Sequence, residues 1–335
     1  AFLASNRTVK WRGQWCLLTP IYLSVRFMEK DLLAKKRVLI VGDSMLDKYW
    51  FGDANRISPE APVPVVRIVR SDERLGGAAN VALNVASLGV RTTLMGVVGN
   101  DENGRKLREL LDKAGIEARL NTDPERKTIL KLRIVARQQQ LVRIDFEDRP
   151  SSEVLSGLLS DFSEIVGTFD VLVLSDYGKG GLENIQSMIA MAREKGIPVL
   201  VDPKGDNYDR YAGATMITPN RAELAQVTGQ WTGEEDLQIR AQALRERLNL
   251  KALLLTRSEE GMTLFTQDGA LTVPAQAREV FDVSGAGDTV IAVTAAMLAA
   301  GLPLDQTVRI ANRAGGIVVG KLGTASVSFN ELFGK

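Results

Sequence analysis

Histidine is absent from the 335 residues, and cysteine occurs once, as Cys16. The first absence removes His-based triads, imidazole metal ligands and histidine general bases, so any proton transfer falls to Asp, Glu, Lys, Tyr or solvent. The second excludes an internal disulfide and a cysteine-built structural zinc site, and it fits a reducing, cytoplasmic setting. An excess of one charge sign is lacking too: 42 Lys plus Arg stand against 41 Asp plus Glu, a net charge of +1. That balance points to neither a nucleic-acid surface nor a membrane-seeking face. The opening stretch "AFLASNRTVKWRGQWCLLTPIYLSVRF" is too short and too interrupted to span a bilayer. Residues 1–27 read as a non-native or disordered extension ahead of a natural start at Met28, with the folded domain expected over 28–335.

What is present is a rhythm. From Arg37 onward the β-branched runs "RVLIVGD", "TLMGVVG", "DVLVLSDYG", "PVLVDPKG", "TMITPN" and "KALLLTRS" alternate with helix-length amphipathic segments over 104–114, 182–195 and 234–248. Near-continuous apolar runs ending in Gly, Asp or Asn suit strands buried on both faces. Their alternation with helices specifies an α/β fold, a mostly parallel sheet flanked by helices on both faces. Asp43, Asp176, Asp202, Asn220 and Arg257 fall at the carboxyl ends of these strands, where open α/β sheets bind ligands. Two stretches break the rhythm. "VPVVRIVRS" and "KTILKLRIVARQQQLVRIDFED" read as exposed antiparallel strands, the second turning at 138–140. They predict a small β-sheet lid with strands near 48–72 and 127–146. No internal repeat or low-complexity linker divides the chain, so one domain plus a lid is expected.

Four stretches carry candidate chemistry. In "DVSGAGDTVIAV", Asp288 is either a plain helix cap or a base beside an anion site made by the bare N–H groups of Gly285, Ala286 and Gly287. "GGAANVALNVASLG" opens with Gly76 and Gly77, which allow close approach of a ligand, and offers Asn80 to a sugar hydroxyl. A glycine-rich entry to a tightly packed helix would look the same. "GDSMLD" adds Asp43 and Asp47 as acceptors for polyol hydroxyls. In the second lid stretch Lys127, Lys131, Arg133 and Arg137 share one parity while Leu130, Leu132, Ile134 and Ala136 share the other, so a strand there separates a cationic from an apolar face. Such a face either guards an exposed edge or meets a phosphorylated substrate. "GGIVVGKL" is not a Walker A loop, because Leu322 stands where Ser or Thr must reach Mg²⁺ and the context is helical.

"GGAANVALNVASLG" together with "DVSGAGD" resembles the paired signatures of the ribokinase/PfkB family of carbohydrate kinases, and the likeness runs from about Arg37 to Leu332. Further stretches, "RISPEAPVPVV", "LVLSDYGKG", "VDPKG", "TPNRAE", "LLTRSEEGM" and "VVGKLGT", resemble the members of that family that act on heptose 7-phosphate. The resemblance implies a ribokinase-like fold and transfer of a phosphoryl group from ATP to O1 of the heptose 7-phosphate, toward the ADP-heptose of the lipopolysaccharide inner core. It implies that Asp288 is the base and that the N–H groups of Gly285, Ala286 and Gly287 form the anion hole. "NRAE" matches the family's N-x-x-E, with Asn220 and Glu223 organising Mg²⁺ indirectly, through water and ATP phosphates, and Arg221 and Ala222 between them. Thr256, Arg257, Ser258 and Gly261 would lie along the nucleotide and Asn312 near the adenine or ribose. The sugar would rest on Asp43, Asp47, Gly76, Gly77 and Asn80, with its 7-phosphate met by Lys131 and Arg133. Lys179 and Lys204 are phosphate contacts or rim charges.

Where many members read Thr this chain has Val283, a change that a backbone-only role tolerates. Dependence on a monovalent cation is left open, as is whether the kinase stands alone or is half of a bifunctional enzyme carrying a nucleotidyltransferase. The alternatives are a PfkB-type kinase for another sugar or sugar phosphate, and a sugar- or nucleotide-binding regulator without catalysis. The exposed lid edges are expected to pair two chains into a homodimer.

Overall fold

The alternating runs from Arg37 onward form strands that meet in a single nine-stranded sheet. The computed structural model describes residues 8–11, 14–17, 30–137, 139–276 and 280–334. The first described elements are a hairpin of β1 (Thr8–Trp11) and β2 (Gln14–Leu17), the short helix α1 (Lys30–Leu33) and strand β3 (Arg37–Gly42). Two long strands follow, β4 (Ser44–Ile57) and β5 (Pro64–Gly77), then α2 (Ala78–Ser87), β6 (Arg91–Gly99), α3 (Glu102–Lys113) and β7 (Glu117–Asp123). The middle of the chain gives β8 (Leu130–Ala136), β9 (Gln139–Phe146), α4 (Ser152–Ile165), β10 (Val171–Ser175), α5 (Ile185–Glu194), β11 (Val199–Asp202) and β12 (Met216–Ile217). The remainder gives α6 (Arg221–Thr228), α7 (Gly233–Arg247), β13 (Ala252–Thr256), β14 (Met262–Thr266), β15 (Gly269–Val273), α8 (Ala286–Ala299), α9 (Leu304–Val318) and α10 (Phe329–Phe333). The reading of 1–27 as an extension lies mostly outside the described residues, which there include only the β1–β2 hairpin.

Across the main sheet the order is β15-β14-β13-β12-β11-β10-β3-β6-β7. From β13 through β7 the neighbours are parallel, whereas β14 and β15 add an antiparallel edge that the sequence pattern did not announce. Successive side chains on a strand point to opposite faces, and each parallel strand accordingly feeds two cores. Val38 and Ile40 of β3 pack toward α2, α3, α8 and α9, while Leu39 and Val41 pack toward α4, α5, α6 and α7. Among the described residues no helix is long and apolar enough to cross a membrane.

The lid is a four-stranded sheet in the order β5-β4-β8-β9. Its strands begin earlier and end later than the 48–72 span, because β4 and β5 are rooted in the core at Ser44–Asp47 and Leu75–Gly77 and become exposed only toward their shared turn. One pairing differs from expectation: β8 is antiparallel to β9 but parallel to β4. Of the turn expected at 138–140, Gln138 lies outside the described residues. The parity split is realised across the β8–β9 pair. Leu130, Leu132 and Ile134 stand opposite Phe146, Ile144 and Val142, while Lys131 and Arg133 stand opposite Asp145 and Arg143. Lys127 precedes the strand and Arg137 follows it, so neither belongs to that cationic face.

Candidate active site

Helix α8 is buried almost all round, packed between the sheet and its neighbours α2 and α9, and its first turn carries a single acid, Asp288. The helix begins at Gly285, whose φ of 77° suits glycine, and no side chain caps it. The plain-cap reading of Asp288 therefore does not hold. Its carboxylate instead receives two hydrogen bonds from other elements: Asn80 Nδ2 on α2 donates to Oδ2 at 2.7 Å, and the Tyr177 hydroxyl after β10 donates to Oδ1 at 2.7 Å. Burial lifts the Asp288 pKa from 3.8 to about 6, against the two hydrogen bonds, with Asp47 adding to the rise and Lys131 opposing it. The outcome is a buried carboxyl that exchanges its proton close to neutral pH.

Two cavities meet at the start of α8. One, about 220 Å³, is lined by Asp176, Tyr177, Asp202, Lys204, Asn220, Glu223, Gly285 and Asp288. The other, about 360 Å³ and mostly apolar, is lined by Ser258, Gly261, Met262, Val283, Ala286, Val290 and Asn312. Thr256 and Gly287 border both. Nothing among the described residues lies within 4 Å of where a Cβ at Gly287 would stand, so the helix backbone is open to a ligand there. A larger hollow of about 650 Å³ opens at the amino ends of β11, β12 and β13, around Pro198, Thr215 and Lys251, and holds none of the residues singled out above.

The residues expected to hold the sugar differ in how free they are to meet a ligand. Asp47 is buried and paired with Arg133 at 2.7 Å, and Arg133 also lies over the Tyr49 ring, so this cation is already spent on an acid. Lys131 Nζ lies 5.3 Å from the Tyr177 ring centroid, and burial lowers its pKa. Gly76 has to be glycine because a Cβ would come 2.7 Å from Asp47 Oδ2, and the next residue, Gly77, is the N-cap of α2. Asp43 is drawn elsewhere. Its oxygens accept the N–H groups of Tyr177 (3.0 Å), Lys179 (2.9 Å) and Gly181 (2.9 Å), so it holds a loop rather than a free acceptor face. Lys179 turns to Glu147 on the rim.

Of the residues expected along the nucleotide, Thr256, Ser258, Gly261 and Asn312 border the larger cavity, with Asn312 Nδ2 donating to Pro274 O at 2.8 Å. Three of the residues expected along the nucleotide lie outside both cavity linings. The Arg257 guanidinium is buried between Glu234 and Glu260 and enters neither cavity; Arg221 pairs with Glu260 and lies over Trp231; Ala222 lines neither cavity. Asn220 and Glu223 form a capping box on α6, with Asn220 Oδ1 accepting Glu223 N and Glu223 Oε2 accepting Asn220 N, both at 3.0 Å. Lys204 Nζ binds the other Glu223 oxygen at 2.9 Å.

Two groups in the site were not singled out from sequence. Tyr177 had no signal beyond following Asp176 at a strand end. Asp202 was noticed only as a strand-end acid, yet it stands half-buried in the cavity wall, where desolvation, then Asp288 and Glu223, push its pKa well up.

A buried acid thus stands at the N-terminus of a helix, beside an open backbone and two adjoining cavities, on an α/β sheet with a β lid. The chain belongs to the pfkB family of carbohydrate kinases, whose model matches residues 35–331. It is 55% identical over 305 residues to D-beta-D-heptose 7-phosphate kinase of Bordetella bronchiseptica, an alignment that covers 91% of this chain and 97% of that protein. It is 54% identical over 297 residues to bifunctional protein HldE of Methylococcus capsulatus, covering 88% of this chain but only 63% of that longer protein. Among solved structures, the fold is shared with Arabidopsis thaliana ribokinase complexed with ribose and ATP, at a TM-score of 0.73 and 20% identity over 89% of this chain and 98% of that one. It is shared as well with phosphofructokinase-2 from Escherichia coli in complex with substrates and products, at a TM-score of 0.76 and 21% identity over 89% and 97% of the two chains.

Proposed function

We propose that this chain transfers a phosphoryl group from ATP to O1 of D-glycero-D-manno-heptose 7-phosphate, giving the 1,7-bisphosphate used in ADP-heptose and lipopolysaccharide inner-core synthesis. The observation that carries the reading is Asp288, buried between Asn80 and Tyr177 where the two cavities join. The choice of acceptor is supported by the 55% identity along 97% of a protein named for that substrate. In this reading Asp288 takes the proton of the anomeric hydroxyl, so that the O1 lone pair attacks the γ-phosphorus as the bond to the ADP oxygen breaks. The open first turn of α8 at Gly285, Ala286 and Gly287 stabilises the charge on the transferring group.

Asn80 and Asp47 orient the sugar. Lys131 meets the 7-phosphate, since Arg133 is already engaged by Asp47. The adenosine occupies the larger cavity along Thr256, Ser258, Gly261 and Asn312. Both Glu223 oxygens are bonded within the chain, one to Asn220 N and the other to Lys204 Nζ. That fits Mg²⁺ arriving with ATP and held mainly by water and phosphate, with Asn220, Glu223 and Asp202 on its outer side; when bound it would neutralise phosphate charge. A monovalent cation, a cytoplasmic setting and a homodimer through the lid belong to the same reading. The dimer is supported by the exposed Ile57, Val63, Val69, Val142, Ile144 and Phe146.

The test is to incubate the chain with MgATP and the heptose 7-phosphate and to examine the product by mass and ³¹P NMR. A second phosphate with the chemical shift and coupling of an anomeric ester is expected, and none with Asp288→Asn. A product phosphorylated at another carbon would discard the O1 assignment.

A further inference from the structure

Tyr177 belongs to none of the recognition sets above, yet it touches the proposed base directly. Its hydroxyl lies 2.7 Å from Asp288 Oδ1, on the other side of the carboxylate from Asn80 Nδ2 at Oδ2. The loop that carries it is fixed from below. Asp43, at the end of β3, accepts the backbone N–H groups of Tyr177, Lys179 and Gly181, and a Cβ at Gly181 would come 2.6 Å from Asp43 Oδ1. Asp43 thus clamps three N–H groups within five residues, which places the ring and its hydroxyl without help from a ligand. The outer face of that ring receives Lys131 Nζ from the lid.

We propose that Tyr177 is a positioning residue for Asp288: its hydroxyl fixes the carboxylate and keeps it in the ionised, proton-accepting form, and Asp43 acts at one remove by anchoring the loop. The proposal rests on the reading of Asp288 as base. The chemistry is simple. A phenol can donate to a carboxylate and gains nothing from a carboxylic acid whose proton competes for the same oxygen, so the bond favours the charged state. Burial and the nearby Asp288 push the Tyr177 pKa well above 10, so the donor keeps its proton throughout the working range. The other groups facing Asp288 are Asp47 from β4, Lys131 from β8 and Asp202 from β11, with Asn80 from α2 as the second donor. Of these, Lys131 and Asn80 also favour the anion, while Asp47 and Asp202 oppose it. Tyr177 is therefore one of three groups that offset two neighbouring acids and the loss of water.

The experiment is a pH profile of kcat at saturating ATP and sugar phosphate for wild type, Tyr177→Phe and Asp288→Asn. Phenylalanine keeps the ring under Lys131 and removes only the donor. The expected result is an acidic limb moved upward by about one pH unit, kcat reduced about twofold at pH 7 and close to tenfold at pH 5, and KM for both substrates unchanged. The limb is read from the shape of the profile, so partial loss of folded protein would scale its height without moving it. Asp43→Asn, which weakens the clamp, should move the limb in the same direction by less. An unmoved limb in Tyr177→Phe, with Asp288→Asn inactive, would overturn the role of Tyr177 and leave the base in place. Wild-type turnover by Asp288→Asn would overturn both.

Discussion

Asp288 illustrates how far a single residue can be read before its surroundings are known. "GAGD" located the acid at a helix start, but a cap and a base have the same spelling; what separates them is that its partners, Asn80 and Tyr177, come from 208 and 111 residues away. The same limit applies to cations. Arg257 reads as a nucleotide contact and Arg133 as a phosphate contact, and only the fold reveals the acids that already hold them. Burial of Asp288 also has a stability consequence. Its pKa is raised from 3.8 to about 6 on folding, so between those values the folded state binds a proton that the unfolded state has lost. Stability from this group is then highest below pH 4 and falls as pH rises through 6, by about 3 kcal/mol in all. Asp288→Asn should lose turnover and yet melt above wild type at pH 8, with the gap shrinking toward pH 5. Thermal melts at the two pH values check this; equal melting at both would mean that the buried carboxylate carries no such penalty.

At the scale of elements, the strands buried on both faces were legible because their apolar runs are unbroken: β3, β6, β10, β11 and β13 lie where the pattern put them. The helices over 102–113, 185–194 and 233–247 lie within three residues of their expected bounds. The β14–β15 edge was not legible, because "MTLFT" and "GALTV" are short and say nothing about direction. Nor was β7, whose exposed, polar face hides its period. The start of α8 gives an element-level test. Gly285→Ala would strain a positive φ and bring Cβ within 2.8 Å of Asn80 Nδ2, lowering both stability and kcat. Gly287→Ala meets no clash and gains helix propensity, about 0.5–1 kcal/mol. Its methyl, however, stands at the border of both cavities, so kcat should fall while the melting temperature rises. Denaturation curves alongside initial rates separate the two variants, and a Gly287→Ala enzyme with full activity would remove the α8 backbone from the proposed anion hole.

For the whole molecule, the division into a two-faced α/β body and a lid followed from the break in rhythm near residues 65 and 135, whereas the parallel β4–β8 pairing did not, since it joins segments that sequence order keeps apart. The lid presents Val142, Ile144 and Phe146 on one exposed face and the Lys131–Arg133 face on the other. A lid that dimerises through its apolar face would be opened by Phe146→Asp. Light scattering should then give a monomer, with KM for the sugar phosphate raised and the melting of the α/β body little changed; a dimer that persists would place the contact elsewhere. In the proposed reading the enzyme phosphorylates an already phosphorylated heptose, with Asp288 as base. The most direct test of that reading is ATP-dependent ADP release measured with D-glycero-D-manno-heptose 7-phosphate, fructose 6-phosphate and ribose in parallel. A kcat/KM for the heptose phosphate at least about a hundredfold above the other two, abolished in Asp288→Asn, is the expected result. Equal or greater turnover of fructose 6-phosphate or ribose would contradict it.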